Sequence, residues 1–329
     1  MNYKWFVGID ISKKTLDLVL YKKDLQKESP HCQVPNNMKG FKTINKWLNK
    51  HNATLRATLF CMEHTGIYGI EIANFLNNKA SYCIESPVHI KRSLGLIRGK
   101  NDKVDAFHIA RFCYLHREEL TPAKLPTKTM LKLKSLINER ERLVKVRAID
   151  KSIITELNYK ENNTCINRAK KRVNMLTADI DQIENEIKDV IKKDLEIERS
   201  YKLATSVTGI GLVNAVMFIL FTNNFRSITD ARKYACYSGI APFEHTSGIS
   251  IRGKTRVSKL ANKRIKVYLT NGARSAIIND PEIKLYYKRK NEEGKEHGTI
   301  MNAVKFKLIT RVFATVKRGT PYVKLRQAG

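Results

Sequence analysis

Residues 5–23, WFVGIDISKKTLDLVLYKK, decide the reading of the N-terminal half. Two short runs rich in β-branched and aromatic residues, WFVGIDI and LDLVLYKK, flank the polar tetrapeptide SKKT, which is the pattern of a β-hairpin. The first run ends on an acid, Asp10. A helix-period stretch, FKTINKWLNKH, follows, then a strand ATLFCME, an amphipathic helix IYGIEIANFLNN and a strand SYCIES stopped by Pro87. A further strand is expected near HCQVP, giving the order β-β-(β)-α-β-α-β. NDKVDAFHIARFCYLH opens another helix, with Asn101 or Asp102 as its cap and acids in its first turn. Pro122 and Pro126 close this region, so residues 1–125 read as an α/β domain built on a mixed sheet.

Beyond Lys100 the punctuation of the chain is informative. Glycine is absent between Gly99 and Gly209, and proline between Pro126 and Pro242, so the long middle is helical. From Met130 to about Lys160, and again from Ala169 to Glu198, apolar residues recur at helical spacing. In the second run Val173, Leu176, Ile180, Ile183, Ile187 and Val190 alternate steps of three and four, which is the spacing of a coiled-coil seam. Two such helices joined around ENNTCIN form either an ordinary bundle inside one chain or an arm that pairs with a second copy. The helical arm is assigned to residues 126–200, and residues 201–329 to a mostly helical C-terminal domain.

The 329 residues carry 61 Lys and Arg against 31 Asp and Glu, a net charge of +30. Such a chain binds a polyanion, and nucleic acid is the first candidate. The excess is uneven: residues 231–329 hold 22 basic and 6 acidic side chains, against a net +8 in residues 1–120 and +5 in residues 121–200. An anionic membrane surface is the rival partner, but no cationic helix with a large aromatic face is present. No apolar run approaches the ~20 residues that span a bilayer, and MNYKWFVGID lacks the regions of a signal peptide. Cys32, Cys61, Cys83, Cys113, Cys165 and Cys236 are scattered without CxxC spacing and read as reduced thiols. The expectation is a soluble cytoplasmic protein with no membrane association.

Three constellations carry chemistry. The first is four acids: Asp10 and Glu63, each ending a strand, and Asp102 and Asp105, three apart on one helical face. If the two strands are neighbours and the helix packs across them, the carboxylates converge, and divalent cations such as Mg²⁺ relieve their repulsion. Two ions about 4 Å apart can activate a nucleophile and stabilise a leaving oxygen in phosphodiester displacement. Singly, each acid has a bland reading: Asp10 as a turn residue, Glu63 as a solvated strand end, Asp102 and Asp105 as helix-capping charges. The same hairpin also suits the first phosphate loop of an actin-like or sugar-kinase ATPase, but that fold needs further glycine-rich loops, and none occurs between residues 100 and 208. The second constellation is SVTGIGLVNAVMF, where Gly209 and Gly211 precede a helix in the manner of a helix-hairpin-helix turn whose amides bind a DNA phosphate; a plain inter-helix turn is the alternative. The third is Ser247 in a TSG turn, followed by Arg252, Lys254, Arg256, Lys259, Lys263, Arg264 and Lys266. A hydroxyl among so many cations meets the phosphate they attract, although Ser before Gly is commonly a turn residue and a basic run commonly a solvated helix face.

Taken together, GIDISKKTLDL, MEHTGIYG, KNDKVDAFHIARF, TGIGLVNA, FRSITDARKYACYSGIAPFEHTSG and IRGKTRVSKLANKRIKVYL resemble, over nearly the whole chain, the DEDD transposases of insertion-sequence family one-ten, related to Piv-type DNA invertases. The resemblance implies an RNase H-like (RuvC-like) N-terminal domain with its catalytic tetrad at Asp10, Glu63, Asp102 and Asp105, and a transposase-domain serine at Ser247. Ser238, in YSG, competes for that role, but it lies upstream of Pro242 rather than after it; the stretch FEH between Pro242 and Thr246 is less basic than the family's. The resemblance also implies a structured noncoding guide RNA that pairs with donor and target DNA, and active sites shared between protomers. The four acids call for Mg²⁺, two per site. Because strand exchange joins two duplexes, several copies are expected to assemble, with the coiled-coil seam as a route to dimers and tetramers. The expected activity is excision and insertion of a mobile element by strand exchange through a serine nucleophile. A RuvC-like junction-resolving endonuclease using metal-activated water is the alternative, and a non-catalytic nucleic-acid-binding protein a third reading.

Overall fold

The computed structural model describes residues 3–25, 28–64, 66, 68–93, 101–123, 125–157, 163–247, 251–258 and 260–323, with the backbone alone for residues 163, 244–247 and 251–256. The chain divides into two compact units, residues 1–125 and 126–329.

In the first unit β1 (Trp5–Ile11) and β2 (Thr15–Leu20) form the hairpin, closed by a turn in which the Ser12 hydroxyl receives the Thr15 N–H at 3.0 Å. Then come β3 (His31–Pro35), α1 (Met38–Lys50), β4 (Thr58–Glu63), α2 (Ile70–Leu76), β5 (Ser81–Glu85), α3 (Pro87–Ser93) and α4 (Asp102–Leu115). The strands lie in the order β3-β2-β1-β4-β5. β2 is antiparallel to both β1 and β3, whereas β4 is parallel to both β1 and β5. Helices cover both faces, which is why β1 and β2 are apolar almost throughout rather than alternating. Val7, Ile9, Leu16, Leu18 and Phe60 meet Phe41, Ile44 and Leu48 of α1 and Ile72 and Leu76 of α2. On the other face Phe6, Leu59, Cys61 and Cys83 meet Ile90 of α3 and Ile109 and Phe112 of α4.

The second unit begins with α5 (Lys128–Leu157) and α6 (Asn163–Lys192). Their side-chain pairs, Arg140 with Glu184, Arg147 with Thr177 and Asp150 with Arg172, run in opposite senses along the two helices, so the helices are antiparallel. The apolar seam is used inside the chain: Ile180, Ile183 and Ile187 are buried, and the latter two share a core with Met130, Leu133, Ile137, Val216 and Met217. The second periodic run is also broken. α6 ends at Lys192, and Asp194 starts a new helix, α7 (Leu195–Thr205), by accepting the Ile197 N–H at 3.2 Å. α8 (Leu212–Phe221), α9 (Ala231–Tyr237), a two-stranded hairpin of β6 (Pro242–Ser247) and β7 (Ile251–Val257), α10 (Lys263–Asn279), α11 (Pro281–Glu292) and α12 (His297–Arg318) complete the unit. Its second core gathers Ala215, Phe218, Tyr234, Leu269, Ala273, Val304 and Leu308. All six cysteines are unpaired. Among the described residues no helix is long and apolar enough to cross a membrane.

Candidate active site and its setting

The position of the acids follows from one glycine. A Cβ on Gly8 would lie 2.2 Å from the Ala110 nitrogen and 2.3 Å from the Ala106 oxygen, so α4 rests directly on the backbone of β1. Small residues at Ala106 and Ala110 complete that close approach. Asp10, two residues beyond Gly8, shares its sheet face; Asp102 lies one turn before Ala106, and Asp105 immediately precedes it. Asn101 caps α4 by accepting the Lys103 N–H at 2.9 Å, and the positive end of the helix favours both acids of its first turn.

Strand pairing brings further carboxylates onto the same row. The pairing of Ile9 with Met62 places Asp10 beside Glu63, while Asp10 is opposite Asp17, Asp17 opposite Gln33, and Glu63 opposite Glu85. Paired residues share a face. The consequence is electrostatic: burial and then the charges of Asp105, Asp102 and Glu63 raise the Asp10 carboxyl from 3.8 to about 6, against a smaller lowering by the Ile11 N–H. The structure therefore brings Asp10, Glu63, Asp102 and Asp105 into one negative field. Among the described residues, however, no three His, Cys, Asp or Glu side chains close on a common point as a ready metal cage. The field and the closed cage are separate matters: the first acts across several ångströms, the second requires contact. An all-oxygen donor set that repels itself suits a hard divalent cation.

Asp17 escaped the sequence reading, although an acid within the apolar run LDLVL was the available signal. It is 4 % exposed, bonded to His31 Nε2 at 2.7 Å and accepting from Gln33 Nε2 at 3.0 Å.

The second unit holds the other sequence-marked residues. Ser247 is the last residue of β6, opposite Ile251, rather than part of a free turn. Arg252, Lys254 and Arg256 lie on β7, a strand and not a helix face; the side chains of all four, and Lys259 altogether, are outside the described residues. Ser238 is fully buried, and its hydroxyl donates to the Tyr234 carbonyl at 2.8 Å at the end of α9, a placement that hides it from any substrate. Lys263 is exposed at the start of α10. Arg264 instead pairs with Glu141 of α5, so its guanidinium ties two helices together. Gly209 has φ +92, and a Cβ there would meet the Gly272 oxygen at 2.4 Å, which makes it a packing glycine against α10. Gly211 caps α8 and has open space around it.

A sheet-borne carboxylate cluster joined to a basic helical unit is the setting, and the comparisons define the class as transposase. A DEDD transposase model of the IS110 group matches residues 7–157, and a model of transposases of the IS116/IS110/IS902 family matches residues 201–288. The chain belongs to this IS110 family of transposases. It is 26 % identical over 331 residues to the pilin gene-inverting proteins of Moraxella bovis and Moraxella lacunata, covering 98 % of each chain. It is also 28 % identical over 135 residues to an uncharacterized 43.6 kDa protein of insertion element IS110 from Streptomyces coelicolor, a match spanning 41 % of this chain and 33 % of that one.

Proposed function

We propose that the chain is a DNA recombinase that excises and inserts a mobile element, with an RNase H-like (RuvC-like) first unit supplying acids and the basic second unit supplying a serine nucleophile. The observation that carries this reading is the seating of α4 on the backbone of β1 at Gly8, with β1 and β4 paired up to Ile9 and Met62, which sets Asp10 in the field of Glu63, Asp102 and Asp105 and raises its carboxyl. The mixed sheet with α4 across β1 supports it, because that topology sets acids of two neighbouring strand ends and of a helix in one electrostatic field. Relatives named for inverting a gene support rearrangement of DNA as the outcome.

Asp10, Glu63, Asp102 and Asp105 are the residues that would hold two Mg²⁺ ions. Such ions, when bound, neutralise charge on a phosphate and make an oxygen nucleophile more reactive. The chain's own groups do the rest. Arg252, Lys254, Arg256, Lys259 and Lys263, with the backbone amides at Gly211, attract and orient the DNA phosphates. The Ser247 oxygen forms a bond to phosphorus while the bond from phosphorus to a sugar oxygen breaks; the serine proton passes to a base, and the departing sugar oxygen gains one. A sugar hydroxyl of the second duplex then attacks the phosphoserine ester and frees the serine, so the ester conserves the bond energy and no ATP is consumed. Guidance by a structured noncoding RNA and assembly of several copies around donor and target duplexes belong to the same proposal, and the net charge of +30 suits both nucleic acids.

The test is junction formation in cells. The gene is placed within its native flanks, and the excised circle is amplified for wild type, Ser247→Ala, Ser238→Ala and Asp10→Asn. Circles from wild type and Ser238→Ala alone are expected. Circles from Ser247→Ala but not Asp10→Asn would replace the covalent step with direct transesterification, and circles from Asp10→Asn would remove the carboxylate site. Depletion of RNA transcribed from the flank is expected to abolish circles.

A further inference from the structure

A groove of about 1010 Å³ opens in the second unit between α9, the first half of α12 and the root of the β6–β7 hairpin. Neither the family assignment nor the proposed chemistry uses it. Its walls are apolar, with Phe243, itself 48 % exposed, and Phe306 among them. Its polar groups are few: the Thr299 hydroxyl, the Asn302 amide and the exposed Arg232 at the edge. Asn302 is oriented. The buried Lys305 ammonium, which can only donate, bonds its Oδ1 at 3.1 Å, so the two Nδ2 hydrogens remain for a ligand. The Arg232 backbone N–H donates to Asp230 Oδ1 at 2.9 Å, and among the described residues its guanidinium forms no ion pair.

We infer that this groove takes the base of an unpaired nucleotide in a DNA strand, stacked against Phe243 and Phe306, hydrogen-bonded by Asn302 and Thr299, with Arg232 on its phosphate. Aromatic walls with a few fixed donors are what an unstacked base requires. Charge decides the occupant: the segment 231–329, to which every lining residue belongs, carries 22 basic and 6 acidic side chains, which favours a polyanion over the surface of a second, equally basic copy. Location decides the strand. β6 starts at the groove with Pro242 and ends at Ser247, about 16 Å away at strand rise, the reach of a few nucleotides. This inference rests on the proposed recombinase in one respect, that the strand beside Ser247 is DNA.

The test uses the full-length chain and a single-stranded DNA oligonucleotide carrying 2-aminopurine, with the matching duplex and a single-stranded RNA of the same sequence as separate arms. Wild type is expected to change the probe's fluorescence on binding the single strand. Asn302→Asp keeps the side-chain size and the bond to Lys305 but removes both donors; Ala303→Trp fills the groove. Each is expected to weaken single-strand binding about tenfold or more and to abolish the fluorescence change, with duplex affinity kept within about twofold. Arg232→Gln, on the surface, is expected to weaken it by a few-fold. Unchanged single-strand binding by a folded Asn302→Asp, a preference for the RNA arm, or an Ala303→Trp effect on sedimentation in place of binding would each overturn the inference. Recombination junctions, scored separately, test the proposed function: their absence in wild type, with the oligonucleotide results intact, removes that function and leaves the groove.

Discussion

Replacing Gly8 with alanine inserts a methyl group where α4 crosses β1. The added carbon would lie 2.2 Å and 2.3 Å from two backbone atoms of α4, where ordinary contact begins at 3.4 Å. Helix backbone cannot rotate away as a side chain can, so α4 must withdraw by roughly 1 Å. Overpacking of this kind costs about 2 kcal/mol. For a unit of 125 residues that lowers the melting temperature by about 5–10 °C. The same withdrawal carries Asp102 and Asp105 away from Asp10, and a misplacement of about 1 Å lowers a reaction rate roughly a hundredfold. Trp5 and Trp47 are the only tryptophans and both lie in this unit, so tryptophan fluorescence on heating reads the stability, and circle formation in cells reads the activity. A Gly8→Ala protein melting within about 1 °C of wild type and forming circles at the wild-type level would refute the claim that this contact sets the acids.

Three further outcomes follow from the same geometry. Between pH 3.8 and about 6 the folded chain holds a proton on Asp10 that the unfolded chain has lost, so wild-type stability falls as pH rises through that window; Asp10→Asn escapes the loss and is more stable above pH 6 by roughly 1–2 kcal/mol, discounted for a partly exposed group, and added Mg²⁺ narrows the gap in thermal melts. Ser238→Ala removes one buried hydrogen bond and costs about 1 kcal/mol in denaturant titration, without loss of circles. Arg264→Ala leaves Glu141 without its cation and lowers stability by about 1–3 kcal/mol, whereas Lys263→Ala leaves the melting temperature unchanged and flattens the salt dependence of DNA binding by about one unit of slope.

Much of this protein is determined locally. The β1–β2 hairpin is readable because SKKT interrupts two strand-like runs, and the start of α4 because Asn101 precedes an apolar helical period; both signals lie within a few residues of the elements they specify. The identity of the four acids and the basic tail are equally properties of the chain. Tertiary structure alone decided which acids share a face, because the side-chain period of a strand is two and only register turns that parity into a row; hence Asp17 joins Asp10, although it reads as one polar residue in an apolar run. It decided that Gly8 admits a helix, that Ser238 is buried at the end of α9 and that Arg264 is engaged by Glu141, 123 residues away. It also decided that the α6 seam is satisfied by α5 and α8 of the same chain, since heptad spacing specifies an apolar stripe but not the partner that covers it. Sequence supplies the groups and their local geometry; long-range packing selects which of them meet.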